Sequence, residues 1–476
     1  MRVLFLAVAL GLGLVPAVAP AAPSEGLRGP LVQLVTRDSA VIRWFTPKIA
    51  RGVVHYGVEP LRLTATVAEP TARQDHEVRL KGLKGATTYY YAVLAGDAVA
   101  AGSDQHFATA PGPCEPFRFV VFGDSRGPAN SCESSPAWRS VARMVAGLKP
   151  AMVIGTGDYV ANGGRPECWD KWIEGSGSLF RHTPFFPAIG NHEYDRQFYT
   201  GEHNSGLVNF SRWFALPPGP DAAVRTSYYA FTFGNSRFIV YDDYKDRGPG
   251  SAQLRWLERE LTAARANPDI QHVFVVNHTT FEGVGSFCRP DESDRNQSRN
   301  REWVEPLLER HAIDATFAGH EHSYARVVKN GITHVVTGGA GAPLERGEGR
   351  CEQPTCADNP GLVRFNGCRH HAVLVEVDGP RVTYTALADD GTTRLDAWQA
   401  EHWPAKAARC MVEARGGKAP APAAPKVTPP PAPAATPPSV APPHSAAVHG
   451  RAARLAGLTA AFLAFGMMLG RRRRRD

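Results

Sequence analysis

Apolar positions in this chain change rhythm several times. Over residues 27–110 they come as short runs of strand length, VQLV and AVIRWFT joined at Arg37-Asp38-Ser39, then GVVHYG, HEVRLKGL, TTYYYAVLAG and DQHFATA. Turn residues and charges separate the runs. About seven short strands over this stretch predict an all-β sandwich, with Trp44 and the Tyr89–Tyr91 run as core and corner aromatics.

Over residues 116–400 the rhythm becomes that of an α/β chain. Phe117–Phe122 (FRFVVF) is apolar almost throughout, as a strand buried on both faces must be. Further strands are expected around Ala151–Ile154, Pro184–Ile189, Phe238–Tyr241, Val273–Val276, Ala315–Phe317 and Val335–Val336. Ser251–Ala264 places Leu254, Leu257 and Leu261 at helical spacing. Ala372–Val377 and Val382–Leu387 alternate like antiparallel strands.

The two ends read as targeting segments. Residues 1–21 have a positive start at Arg2, an apolar run from Val3 to Val15 and a small-residue stretch Ala19-Pro20-Ala21, the pattern of a secretory signal peptide. Residues 419–443 are almost entirely Pro, Ala, Val, Ser and Thr, an extended linker that spans on the order of 75 Å. Residues 455–476 combine an apolar helix with the cluster Arg471–Arg475, an expected membrane anchor or sorting tail. As a helix its apolar run is about 24 Å long, short of the ~30 Å hydrocarbon core.

These ends also explain the formal net charge of +7: Arg2 and the five terminal arginines less Asp476 supply +5, leaving the body near +2. A nearly neutral body argues against nucleic acid as the partner. Eight cysteines, all between the signal and the tail, suit an exported, disulfide-bonded protein, with Cys351 and Cys356 expected to close a small loop. The expected location is the periplasm or the cell surface, with the membrane reached through the C-terminal segment unless that segment is processed. The oligomeric state is not fixed by the sequence.

The candidate chemistry lies in five polar clusters, each following an apolar strand: Gly123-Asp124-Ser125-Arg126, Gly157-Asp158-Tyr159, Gly190-Asn191-His192-Glu193, Asn277-His278 and Gly319-His320-Glu321-His322. In α/β sheets the C-terminal strand ends carry the site. Carboxylates and imidazoles with one amide suit divalent or trivalent metals. Glycines ahead of the ligands permit close backbone approach. His320 and His322, two residues apart, face one way if the segment is extended.

This order of motifs resembles the calcineurin-like metallophosphoesterase superfamily. Together with residues 27–110, which resemble the fibronectin type III-like domain of plant-type purple acid phosphatases, it is most similar to a purple-acid-phosphatase-like protein. The resemblance implies a central β-sandwich flanked by helices. It implies that Asp124 binds a first metal, that Asp158 bridges two, that Asn191, His278 and His320 bind the second, and that His322 returns to the first. His192 would assist the leaving group without binding metal, and a metal-bound hydroxide would attack phosphorus. One or two ions of iron, zinc or manganese are expected.

The departures lie at the first metal. Many members of the superfamily have His two residues after the first Asp, where this chain has Arg126. Purple acid phosphatases have Tyr three residues after the second Asp, where this chain has Ala161, so a colourless protein is expected. Arg126 admits two functional readings: it holds the substrate phosphate, or its charge weakens or replaces the first metal. Asn162 is a second phosphate contact or part of a turn. Glu193, Tyr194 and His203 are further pocket candidates. Three functions are open at this point: an exported phosphatase acting on monoesters, a phosphodiesterase or nucleotide hydrolase on the same site, or a non-catalytic surface binding protein. Substrate choice would rest on loops such as Gly201–Pro220 and Gly283–Arg301.

Overall fold

A computed structural model describes residues 26–401, apart from 97, 130, 195–204, 220–226, 287, 289–294 and 348. The expected signal, linker and tail helix lie outside the described residues, as do His203 and Cys410. Among the described residues no helix is long and apolar enough to cross a membrane.

The N-terminal strands form two antiparallel sheets. One has Arg28–Gln33, Ser39–Ala50 and Arg73–Lys81; the other has Ala65–Ala68, Gly52–Gly57, Thr88–Ala95 and Ala98–Ala108. Alternate residues of both sheets (Ile42, Trp44, Val54, Val78, Tyr91, Val93, Phe107) meet in one core. The Tyr89 hydroxyl accepts the Lys84 N–H at 2.9 Å, the backbone tie of a tyrosine corner.

The second region stacks two mixed sheets. The first runs in the order Phe185–Pro187, Met152–Gly155, Phe117–Phe122, His371–Asp378, Arg381–Ala388, Arg394–Glu401. Its first three strands are parallel to one another. The second runs Tyr229–Phe233, Ser236–Val240, His272–Val276, Ala315–Ala318, Ile332–Thr337, Tyr324–Lys329, Leu362–Asn366, with four parallel strands from Ser236–Val240 to Ile332–Thr337.

Each central strand serves two cores, which is why its sequence is apolar without alternation. Phe119 and Val121 face the other sheet, while Val120 and Phe122 face the helices Pro136–Leu148 and Pro166–Gly175. Phe274 and Val276 likewise face inward, while Val273 and Val275 pack under the helix Ala252–Ala266. Phe119 presents its ring edge-on to Phe238, with centroids 5.1 Å apart, at the centre of the inner core.

The disulfides correct one expectation. Cys351 pairs with Cys368, and Cys356 pairs with Cys288. The main chain decides this: Gly367 N–H bonds the Cys351 carbonyl at 2.8 Å, while the Cys356 N–H bonds Val284 at 3.2 Å, so the two halves of the presumed loop dock on different segments. Cys132 pairs with Cys168, and Cys114 is also disulfide-bonded.

The N-terminal sandwich is joined to the second region by burial, not by a bare linker. Leu31 and Phe45 belong to the same core as Trp138, Trp169 and Trp213, and the Phe45 and Trp213 ring centroids are 4.4 Å apart. Arg212 holds Asp75 through two hydrogen bonds of 2.8 and 2.7 Å. Truncating Phe45, which is 3% exposed, removes a ring from this shared core. Phe45→Ala is expected to cost roughly 3–5 kcal/mol, seen by calorimetry as a lower temperature for one joint transition. A separate early transition of the sandwich would show that the two regions unfold independently.

Candidate metal centre

Five parallel strands end at one edge of the stacked sheets, and each hands a polar cluster to that edge. Phe117–Phe122, Met152–Gly155 and Phe185–Pro187 come from one sheet; His272–Val276 and Ala315–Ala318 come from the other. The chain must turn sharply directly after each strand. Asp124, Asp158 and His320 adopt φ values of 54°, 57° and 70°, which L-residues rarely take and which cluster at functional sites. Gly157 has φ 102°, and a side chain there would bring its first carbon to 2.6 Å from His278 Nδ1. Gly319 leaves similar room for the Asp124 carboxylate.

His278 is the hub of one half of the site. Its Nδ1 lies 2.8 Å from the Thr156 carbonyl, which requires a proton on Nδ1 and presents the Nε2 lone pair inward. Around Nε2 lie Asn191 Oδ1 at 3.0 Å, His320 Nδ1 at 3.2 Å and Asp158 Oδ1 at 3.4 Å. The Tyr244 hydroxyl donates to Asn191 Oδ1 at 3.3 Å, so this oxygen is an acceptor too. Donors held this close suit a cation between them. Edges of about 3.0 to 3.4 Å are those of octahedral to tetrahedral cages with bonds near 2.1 Å. The residues therefore fit a metal ion. Ligand atoms of Asp124, Asp158 and His278 also lie within 4.8 Å of one another.

The other half is built around Asp124. Its Oδ2 accepts the His320 N–H at 2.9 Å, while its buried Oδ1 has no hydrogen bond and lies 3.5 Å from His322 Nε2. His322 Nδ1 is fixed on the Pro343 carbonyl at 2.8 Å. Burial alone would lower the His322 pKa, but the adjoining Asp124 carboxylate outweighs it and raises the value. Arg126 reaches into this half, with Nη2 at 3.4 Å from His322 Nε2 and Nε at 3.7 Å from Asp158 Oδ2. Burial would raise the Asp158 pKa; the charges of His278, His192 and Arg126 hold it well below the usual carboxylate range.

His192 stands beside these ligands. Its N–H donates to Asp158 Oδ1 at 2.9 Å, its Nδ1 lies 2.8 Å from the Ala161 carbonyl, and its Nε2 is 3.7 Å from Asp158 Oδ2. Asn162 comes next in the chain, and its Oδ1 closes a local turn with the Gly164 N–H at 2.9 Å. Tyr159 points away from the ligands: its hydroxyl donates to Ala188 at 2.8 Å and accepts the Gly157 N–H at 3.0 Å. Burial pushes its pKa well above the ordinary phenol value.

The expected extended His320–His322 segment differs in detail. The strand ends at Ala318, and His320 is left-handed rather than extended. The two imidazoles therefore serve different halves, His320 with His278 and His322 with Asp124. Glu321 between them is buried and accepts the N–H groups of Val284 and Gly285 at 3.1 and 3.0 Å. Three supporting residues carry no motif of their own. Asp243 accepts the N–H groups of His278 and Thr279 at 2.8 and 2.7 Å. Asp242 accepts hydrogen bonds from Tyr194 and Ser227. Tyr244 ties Asn191 in place. The run YDDY following an apolar strand was the available signal.

Glu193 is the strongest of these supports. Its Oε2 accepts the N–H groups of Asp158 at 2.7 Å and Gly190 at 2.8 Å, and its Oε1 accepts that of Tyr159 at 2.8 Å. One carboxylate thus clamps two ligand loops. Burial and the neighbouring Asp158 charge raise its pKa, against the pull of those N–H groups. Glu193→Gln keeps the volume but turns an amide donor toward a backbone donor. Its expected effect is metal affinity weakened about 10- to 100-fold, measured by competition with a chelator, with the circular dichroism spectrum unchanged. Unaltered affinity would show that the loops hold themselves.

The geometry meets its counterpart in known proteins. A family profile for calcineurin-like phosphoesterases matches residues 117–324. An uncharacterized protein of Mycobacterium tuberculosis is 26% identical over 404 residues, covering 71% of this chain and 74% of that protein. Purple acid phosphatase 15 of Arabidopsis thaliana is 25% identical over 330 residues, covering 61% of this chain and 59% of its own length. The solved purple acid phosphatase PPD1 from yellow lupin seeds shares the fold, with a TM-score of 0.66 at 18% identity over 84% of this chain and 77% of that one. Residues 117–324 thus belong to the calcineurin-like phosphoesterases, in a chain homologous to purple acid phosphatases and built as a hydrolase of the phosphoesterase type.

Proposed function

We propose that the chain is an exported, metal-dependent phosphatase that hydrolyses phosphate monoesters. The observation that carries this reading is the cage of four donor atoms formed by His278 Nε2 and three neighbours, with the His192 imidazole beside it. Asp158, Asn191, His278 and His320 would hold the ion. A metal bound there supplies Lewis acidity and makes water a nucleophile near neutral pH.

The chain's own groups do the rest. His192 keeps Nδ1 on the Ala161 carbonyl, which turns Nε2 toward Asp158 and the substrate side. A proton on Nε2, stabilised by the Asp158 carboxylate, is positioned to pass to the leaving oxygen. The buried Arg126 guanidinium adds fixed positive charge beside Asp158, and burial strengthens its effect on charge that builds up there. Asn162 is the candidate neutral donor at the rim. Export is supported by the disulfides, since no described cysteine is free. The N-terminal sandwich is read as the fibronectin type III-like domain that precedes the catalytic region.

His192→Ala is expected to lower kcat by about 10²- to 10⁴-fold, with metal content unchanged. The loss should be larger for alkyl phosphates, whose leaving oxygens need a proton, than for p-nitrophenyl phosphate. Equal losses on both would remove His192 from proton donation. Parallel assays with p-nitrophenyl phosphate and bis-p-nitrophenyl phosphate test the substrate class: faster turnover of the diester would replace the monoester reading with a phosphodiesterase.

A further inference from the structure

We infer that this site holds one metal ion per chain, and that the Arg126 guanidinium occupies the place of the second positive centre. The inference rests on the phosphatase reading only for the identity of the ion-holding half, and it departs from the two-metal arrangement implied by the resemblance.

The two halves of the site are unlike. Around His278 Nε2 three further donor atoms converge within 3.4 Å. The Asp124 half has only Asp124, His322 and the far oxygen of Asp158, and two of these three already face a cation. Arg126 Nη2 points at the His322 Nε2 lone pair at 3.4 Å, and Nε lies 3.7 Å from Asp158 Oδ2. The remaining terminal nitrogen, Nη1, is committed to the Gly127 carbonyl at 3.0 Å.

The guanidinium is also fixed there from outside. Arg126 is 8% exposed, and its own backbone N–H donates to the Asp158 carbonyl at 3.2 Å. A side chain held for substrate phosphate would present its planar fork to the open side of the site. Here the two terminal nitrogens face Gly127 and His322, and Nε lies beside Asp158 Oδ2 without a hydrogen bond of its own. A guanidinium stays charged at any pH the protein meets, so it permanently offsets the charge of the Asp158 carboxylate beside it. A second ion in contact with Asp158 Oδ2 and His322 Nε2 would have to displace it and would meet its repulsion.

The rest of the half agrees. Ala161 offers only its carbonyl, which is taken by His192, and the Tyr159 hydroxyl is bonded away at Ala188 and Gly157. Neither replaces a lost ligand. The site is therefore built for a single Lewis acid flanked by a fixed organic cation, and Arg126 and the ion share the charge of the bridging carboxylate Asp158.

The test uses the full chain, loaded with excess Mn²⁺ and dialysed. Elemental analysis is expected to find one Mn per chain, and electron paramagnetic resonance the six-line spectrum of an isolated ion. Arg126→His, which puts an imidazole in place of the guanidinium, is expected to bind two Mn per chain with a spin-coupled spectrum. His278→Ala is expected to lose the single ion of the wild type. Two coupled Mn per wild-type chain would overturn the inference, as would a wild-type chain that retains no metal. One uncoupled ion in a chain without phosphatase activity would leave the inference standing and remove the phosphatase reading instead. The wild-type spectrum decides the matter even if the variants fold poorly.

Discussion

The buried charge of Asp158 is the constraint on which the site depends. At 2% exposure its carboxylate must be compensated within the protein, because burying an unpaired charge is costly. Compensation comes from three separate segments. The His192 N–H and the His278 imidazole meet Oδ1, and the Arg126 guanidinium and His192 ring lie near Oδ2. The same residue is tied through its backbone, its N–H to Glu193 and its carbonyl to Arg126. Its left-handed φ of 57° persists because so many contacts over-determine it.

Those contacts are available only because the sheets bring the strand ends together. Side chains that alternate between the inner core and the helix-covered faces hold Phe117–Phe122 and His272–Val276 in stacked sheets, so that Asp124 and His278 face each other across the edge. The supporting carboxylates form an outer ring with a common design. Glu193, Asp243 and Glu321 each accept two or more backbone N–H groups from a loop that carries, or follows, a ligand. Loops that would otherwise be mobile are thereby given fixed geometry, as a metal cage requires. Further out, the Cys288–Cys356 disulfide secures the loop that Glu321 holds at Val284. The N-terminal sandwich extends the hydrophobic core through Leu31 and Phe45.

Much of this was legible in the chain alone. Strand-length runs over 27–110 announced strands, which form two antiparallel sheets, and the apolar run FRFVVF announced a buried strand. The five polar clusters marked six ligand candidates, and the structure gathers all six at one edge: Asp124, Asp158, Asn191, His278, His320 and His322. These signals are local, since a strand announces itself by its period and a ligand by its residue type and the turn before it. Disulfide pairing was not local: Cys351 and Cys356 lie five residues apart, yet each pairs with a partner brought in by a different segment.

Sequence by itself thus determined the strand runs, the order of the polar clusters and the chemical class of the donors, because hydrophobic period and residue type are written along the chain. Tertiary structure alone decided where the charges point. Arg126 is an arginine after an aspartate in the sequence; only the fold turns its guanidinium toward His322 and Asp158. Glu193 is one more acid beside a histidine; only the fold sets it beneath two ligand loops. The physical reason is the same in both cases. Electrostatic and hydrogen-bonding roles depend on distance and burial, and these are set by residues far apart in the chain that meet only when the sheets stack.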